Sequence, residues 1–409
     1  MKVVFLGSFL PKESENEIRT MSIGAIANAN NALQWSYIMG LKFFYPSLEV
    51  ISLPQIGAFP VRYKKPFFKP ENNRFYVDEK TLGYSMKFLN IIGLKHLHRF
   101  LQTKKILTKV ISQSSDNEIV VICYDLHPPF LKAVKSIKKK RTKIKTCIIV
   151  PDLHGMTGAP ESVLHKLFQA IESSILRKSY EAIDLFVLLS KHMVEKLPIM
   201  DKPYLIIEGI YNIDDEVTLD KIETFENIKY LFYSGALDSR NGIINLIEAF
   251  HLIPNSNYRL IICGDGEEKE YVVESSKQDQ RIIYKGQLPR NEVLNLQRSS
   301  TLLINPRTAE GVFSRYSFPS KTIEYFASGV PVLMYELEGV PSEYYSFCYT
   351  LTRNSVSELK DKIVMICEQD STVLKNIGNS ARQFVIDNKS AKQQCNKLVK
   401  FINENTFTN

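Results

Sequence analysis

Arg315-Tyr-Ser-Phe-Pro-Ser-Lys-Thr-Ile-Glu-Tyr-Phe-Ala-Ser-Gly-Val-Pro-Val-Leu333 decides how the chain is read. Ahead of it, Thr301-Leu-Leu-Ile-Asn305 is an apolar run of the kind buried in a parallel strand. Pro319 suits the first turn of a helix over 319–328, where its missing N–H costs nothing, and Ser317 or Ser320 suits the cap. Gly329 suits the left-handed residue that ends a helix, and Val330-Pro-Val-Leu333 opens the next strand. This order puts a helix start at the carboxyl end of a parallel strand, where unpaired amides and the helix dipole favour an anion. Glu324 falls about five residues in, roughly 7 Å along the axis. Phosphates on the helix start and sugar hydroxyls on the carboxylate would fit one ligand. The same spacing also fits an ordinary strand–loop–helix with a surface glutamate.

Working outward, the pattern repeats. Strands are expected at 230–233, 259–263 and 281–284, helices at 243–250, 269–276 and 291–296, and closing helices at 356–368, 371–386 and 390–403. The first half alternates likewise, with strands at 2–6, 48–53, 118–123, 145–150 and 185–189. Its helices are expected at 28–42, within 82–112, and at 128–137, 160–180 and 191–197, with residues 58–80 irregular. Alternation of this kind means parallel sheets with helices on both faces, and 409 residues suffice for two domains. The expected fold class is α/β, two doubly wound parallel-sheet domains facing a cleft. Residues 1–212 form the first domain, 213–226 a polar linker, and 227–388 the second domain. Residues 389–409 are a C-terminal helix packing back across the cleft.

Composition narrows the class. No apolar run is long enough to span a bilayer, and Val3–Leu6 is too short for a signal peptide. The six cysteines are scattered, without C-x-x-C or a histidine at metal-ligand spacing. Cys123, Cys147 and Cys263 lie in apolar runs and read as reduced core residues, which points to the cytoplasm. Residues 1–202 carry 30 Lys and Arg against 17 Asp and Glu, a balance of +13; residues 203–409 carry 22 against 27, a balance of −5. The basic stretches Arg62–Lys69, Lys95–Lys109 and Lys138–Lys145, interleaved with Phe and Tyr, suit either an anionic lipid surface or plain solvation. No nucleic-acid-reading module accompanies them.

Several loops after expected strands could carry chemistry. Gly235-Ala-Leu-Asp-Ser-Arg-Asn-Gly242 places Arg240 beside the candidate phosphate pocket, where a guanidinium can contact phosphate bidentately. Gly264-Asp-Gly266 alone is weak. The backbone of Gly286-Gln-Leu-Pro289 can read a base edge, and Asn305-Pro-Arg307 ends the strand before the opening stretch. In the first half, Tyr124-Asp-Leu-His-Pro128 and Val150-Pro-Asp-Leu-His-Gly155 end strands. There Asp152 would face the cleft, and His154 could orient a hydroxyl or accept a proton. No nucleophile–base arrangement argues for a covalent hydrolase.

Taken together, these segments make the second half resemble the donor domain of retaining glycosyltransferases of family 4, whose two Rossmann-like domains form the GT-B arrangement. The resemblance spans residues 228–335: Tyr233–Leu237 with Gly242-Ile243, Leu246–Phe250, Leu260–Gly266, Tyr284–Leu288, Leu303–Arg307 and, most specifically, Phe318–Val332. The first half matches only at Val150–Asp152 and Leu188–Met193. The resemblance implies that Glu324 binds the ribose and that the backbone around Ser317–Lys321, with Phe318, Ser320 and Lys321, holds the diphosphate. Gly286, Gln287 and Leu288 then lie against the base. Arg240, in the loop opened by Gly235, neutralises the leaving diphosphate with help from Lys321 or Arg307. Arg240, His154 and Asp152 are the expected catalytic set. No metal and no cofactor are expected, the UDP- or GDP-linked sugar being the donor substrate.

The chain departs from the family pattern at Tyr316, where a glutamate is expected, and at Ala236 and Asn241, where the family often has Arg and Lys. The expected activity is retaining transfer of a hexose from a nucleotide-diphosphate sugar to a hydroxyl of a glycan or lipid-linked acceptor. Its setting would be bacterial cell-surface polysaccharide synthesis on the inner face of the plasma membrane. The departures also leave room for a non-catalytic nucleotide-sugar-binding scaffold. A GT-B-fold sugar-nucleotide epimerase would need cleft carboxylates that the sequence does not identify.

Overall fold

The computed structural model describes every residue except 25, 80, 115–117, 141–142, 154–173, 175, 200, 212–226, 311 and 407–409. The chain divides into two compact units, Met1–Ile210 with Ala391–Asn409, and Tyr211–Ser390. The expected linker, most of the helix expected at 160–180, and His154 lie outside the described residues.

Among the described residues ten strands build the first unit: β1 (Lys2–Gly7), β2 (Glu49–Ser52), β3 (Phe67–Phe68), β4 (Arg74–Tyr76), β5 (Leu82–Ser85), β6 (Phe88–Leu89), β7 (Ile119–Tyr124), β8 (Ile144–Val150), β9 (Leu185–Leu188) and β10 (Tyr204–Ile206). Eight form one sheet in the order β10-β9-β8-β7-β1-β2-β5-β4, while β3 and β6 pair separately. The large sheet is parallel except for β4, which runs antiparallel to β5. The run Ile119-Val-Val-Ile-Cys-Tyr124 is buried throughout, as a strand covered on both faces requires. Tyr37, Ile38 and Leu41 of the Asn28–Lys42 helix share a core cluster with Cys395, Leu398 and Ile402 of the closing Ala391–Asn405 helix. Gly40 permits that approach: a Cβ there would lie 2.4 Å from the Ala391 carbonyl oxygen.

The expected helix within 82–112 is shorter than its pattern. Residues 82–89 hold β5 and β6, and the helix runs Lys95–Ser112. Gly83 lies under the Phe75 ring, where a Cβ would meet a ring carbon at 2.2 Å, so this segment pairs with β4 instead of coiling. Residues 58–80, expected to be irregular, contain β3 and β4. The sequence reading missed the charged helix Lys12–Met21, which buries Ser14 and Ile18. Some cations of the basic stretches are engaged within the unit. Lys138, Lys139, Lys140 and Lys143 precede β8, at the amino ends of the strands, and Lys138 Nζ sits 2.5 Å from Asp184 Oδ2. Lys95 and Arg99 instead clasp the loop after β2, at the carboxyl ends. Lys95 donates to the Ile56 carbonyl, and Arg99 to those of Leu53 and Pro54, both at 2.6 Å.

The second unit holds β11 (Lys229–Ser234), β12 (Tyr258–Cys263), β13 (Ile282–Gly286), β14 (Leu302–Asn305), β15 (Val332–Tyr335) and β16 (Tyr349–Leu351). Their order is β13-β12-β11-β14-β15-β16, parallel throughout. Strand order reverses between β11 and β14, and in such sheets ligands bind at the carboxyl ends beside the reversal. The chain is α/β, with two Rossmann-like doubly wound units. Its opening helix is shorter than expected, running Lys321–Ala327. Pro319 stands before its cap instead of in its first turn, and its carbonyl accepts the Thr322 amide at 2.9 Å. Neither serine caps it by side chain: Ser320 makes no such bond, and Ser317 Oγ accepts from Arg307 at 2.6 Å. Gly329 has the expected left-handed backbone, at φ 78°.

Candidate functional site

The site of the second unit begins with Glu324, the fourth residue of the Lys321–Ala327 helix. One carboxylate oxygen, Oε1, accepts from Lys321 Nζ at 2.9 Å and from Gln297 Nε2 at 2.7 Å; the other, Oε2, has Arg290 Nη1 at 3.8 Å. Burial alone would raise this carboxyl. Lys321 and Arg290, with the Gln297 hydrogen bond, outweigh it and hold the group below its ordinary range. The carboxylate is therefore kept ionised, and among the described residues its direct hydrogen bonds fall on Oε1. Tyr325, next along the helix, accepts the Ser234 amide at 2.9 Å through its hydroxyl. That bond ties the helix to the carboxyl end of β11, at the strand-order reversal.

The loops around Glu324 are knitted by backbone. Gly235 N donates to Cys263 O at 3.0 Å, Leu237 N to Asp265 O at 3.0 Å, and Gly264 N to Gly286 O at 2.9 Å. Gly264, at φ 141°, admits no side chain, since a Cβ would stand 1.9 Å from the Gly235 carbonyl oxygen. Gly242 repeats the device against Pro306 O, also at 1.9 Å, seating the Arg240 loop on the loop after β14. Arg240 is half exposed, 3.6 Å from Asp238 Oδ2. Arg307 is buried, bonded to Ser317. Gly286 has a left-handed backbone in open space, Gln287 is exposed and Leu288 half-buried. Phe318 points into the core, its ring 5.3 Å from that of Tyr344, so its side chain supports the turn and is not presented to solvent. Ser320 is exposed.

Thus the structure gathers Glu324, Lys321, Gly235, Arg240, Gly286 and Arg307 at one end of one sheet. Tyr316 is buried, while Glu310, near it in sequence, is exposed. The segment ahead of the helix is pinned: Gly339 lies so close that a Cβ would meet Ser317 O at 2.3 Å, and Arg315 pairs with Glu338. Sequence reasoning missed Gln297 and Arg290 as partners of Glu324. Their spacing of seven on the Arg290–Arg298 helix, two turns of one face, was the available signal. It also missed the Asn305 amide nitrogen, buried at the end of β14 without a hydrogen-bond partner.

In the first unit, Asp152 is exposed just past β8. Asp125, just past β7, has a left-handed backbone at φ 72°, and its Oδ1 accepts the Leu126 amide at 2.6 Å. This local hydrogen bond helps explain why an aspartate tolerates that conformation. The His127 ring stacks on His96 at 5.9 Å and against Phe130 at 4.5 Å. Among the described residues no group of three His, Cys, Asp or Glu side chains could hold a metal ion.

No curated protein sequence matches the chain. Among solved structures, the sucrose-phosphate synthase of Thermosynechococcus elongatus is similar with a TM-score of 0.65 at 11% identity, covering 99% of both chains. A TarM mutant of S. aureus in complex with Fondaparinux, alpha-GlcNAc-glycerol and UDP has a TM-score of 0.58 at 11% identity, covering 98% of this chain and 100% of that one. The lipopolysaccharide outer core galactosyltransferase WaaB gives 0.59 at 14% identity, covering 99% of both. At these identities the likeness concerns the fold. Residues 214–384 match the family model described as Glycosyl transferases group 1, which supports sugar transfer.

Proposed function

We propose that the chain moves a hexose from a nucleoside-diphosphate sugar to a hydroxyl of a glycan or lipid-linked acceptor, with retention, in cell-surface polysaccharide synthesis. The observation that carries this reading is the ionised Glu324, held by Lys321 and Gln297 at the strand-order reversal among glycine-tightened loops. A carboxylate there can take two ribose hydroxyls, and the left-handed turn at Gly286 offers backbone to a base. When the donor's C1–O bond breaks, charge grows on the departing diphosphate; Arg240, with Lys321 and Arg307 near by, favours that state over the ground state. The acceptor oxygen bonds to C1 on the same face, and its proton passes to the departing phosphate oxygen. No protein nucleophile is required. In this reading the first unit takes the acceptor, with Asp152 and His154 as its candidate contacts. UDP is the favoured nucleotide, since it occupies the TarM structure.

One observation favours a second reading. Tyr316 is buried where the resemblance expects a carboxylate for the sugar, which suits a protein that binds a nucleotide sugar without turning it over. Incubation with UDP- and GDP-hexoses, with and without a lipid or glycan extract, separates the two. Acceptor-dependent nucleotide release, with the product anomer matching the donor by NMR, is expected. Tight binding without release for any donor would establish the scaffold instead, and an inverted anomer would overturn retention.

A further inference from the structure

The Lys95–Ser112 helix carries a second face that the transfer reading does not use. Its buried side consists of Arg99, Thr103, Ile106, Leu107, Val110 and Ile111. A helix with one dry side ordinarily shows polar residues on the other. Here Leu94, Leu97 and Leu101, spaced i, i+3 and i+7, form a line on the solvent side, and Ile92 precedes them. Phe67 belongs to β3, whose partner strand β6 is tied to the helix by the Leu89 amide donating to His98 Nδ1 at 3.1 Å. These five side chains are 49% to 58% exposed. The line then continues into Lys104 and Lys105.

We infer that this stripe, with the loops beside it, docks the chain on an anionic lipid surface. Charge complementarity selects that occupant: residues 59–112 carry 12 Lys and Arg against 3 Asp and Glu, a local balance of +9. Of these cations, Arg62, Lys69, Lys87, Lys105 and Lys109 are exposed. Apolar side chains entering the acyl boundary with lysines at headgroup level is the arrangement of an interfacial helix. Among the described residues no helix is long and apolar enough to cross a membrane. The inference stands on exposure and charge, independently of the transfer reaction.

The test is flotation of the full chain with vesicles of phosphatidylcholine mixed with phosphatidylglycerol, and with pure phosphatidylcholine vesicles. Binding is expected only to the mixed vesicles, weakening as salt is added. Leu97→Ser with Leu101→Ser should weaken it about tenfold or more, since each leucine loses its burial in the acyl boundary. Lys104→Glu with Lys105→Glu should also abolish most of the binding, with both variants melting near the parent. No binding, or equal binding by the variants, overturns the proposal. So does equal binding to pure phosphatidylcholine. A parent that sediments as a dimer, becomes monomeric in the leucine variant and never floats would assign the stripe to a second copy.

Discussion

Glu324 is the residue on which the site turns. Its pairing with Lys321 is a three-residue relation along one helix, but its hold by Gln297 and Arg290 comes from another helix. Glu324→Ala removes charge-assisted hydrogen bonds worth about 1.5–3 kcal/mol, so the donor dissociation constant should rise roughly ten- to hundredfold by calorimetry. An unchanged constant would remove the ribose assignment. Lys95 gives a pH prediction with the less usual sign. Burial, then the neighbouring Arg99, pulls its ammonium from 10.5 down to about 7. The unfolded chain keeps that proton up to about 10.5, so stability rises with pH between those values and the charge costs stability below them. Urea titration should show the parent gaining on Lys95→Met from pH 7 towards 10; a constant difference would mean that Lys95 holds its proton throughout.

At the scale of elements, glycines set how closely the loops of the second unit approach. Gly264→Ala must displace the Gly235 carbonyl and hold an unfavourable backbone, a cost of about 2–3 kcal/mol. That should lower the melting temperature by roughly 4–12 °C in a unit of this size and weaken nucleotide binding along with it. A variant that melts and binds like the parent would show that the loop relaxes freely. The Phe-Pro-Ser-Lys stretch was legible as strand, loop, helix and strand because Gly329, Val330–Leu333 and Glu324 obey local rules. The place of Pro319 was not: the helix starts two residues later, because the turn at Pro319–Thr322 closes first through its own hydrogen bond. Likewise, helical spacing in 82–112 hid β5, whose pairing rests on the packing of Gly83 under Phe75.

For the whole molecule, the last helix belongs to the first unit although it follows the second in sequence. Leu398 is fully buried in the cluster around Tyr37 and Leu41, so Leu398→Ala should cost the first unit about 2–4 kcal/mol by urea unfolding. In the proposed reading nucleotide affinity rests on residues of the second unit, so it should stay at the parent value. A parallel loss of affinity would show that the two units unfold and bind as one.

The sequence by itself determined two α/β units, the strand–loop–helix order around Phe318–Gly329 and the basic first half, because these depend on local periodicity, turn residues and net charge. Tertiary structure decided which polar groups hold Glu324, that Tyr316 and Phe318 point inward, and that Lys95 and Arg99 turn onto backbone carbonyls after β2. It also decided that an apolar line faces solvent on the Lys95–Ser112 helix. A hydrophobic pattern states that a side chain tends to be covered, but only the packed chain shows which ones were left over.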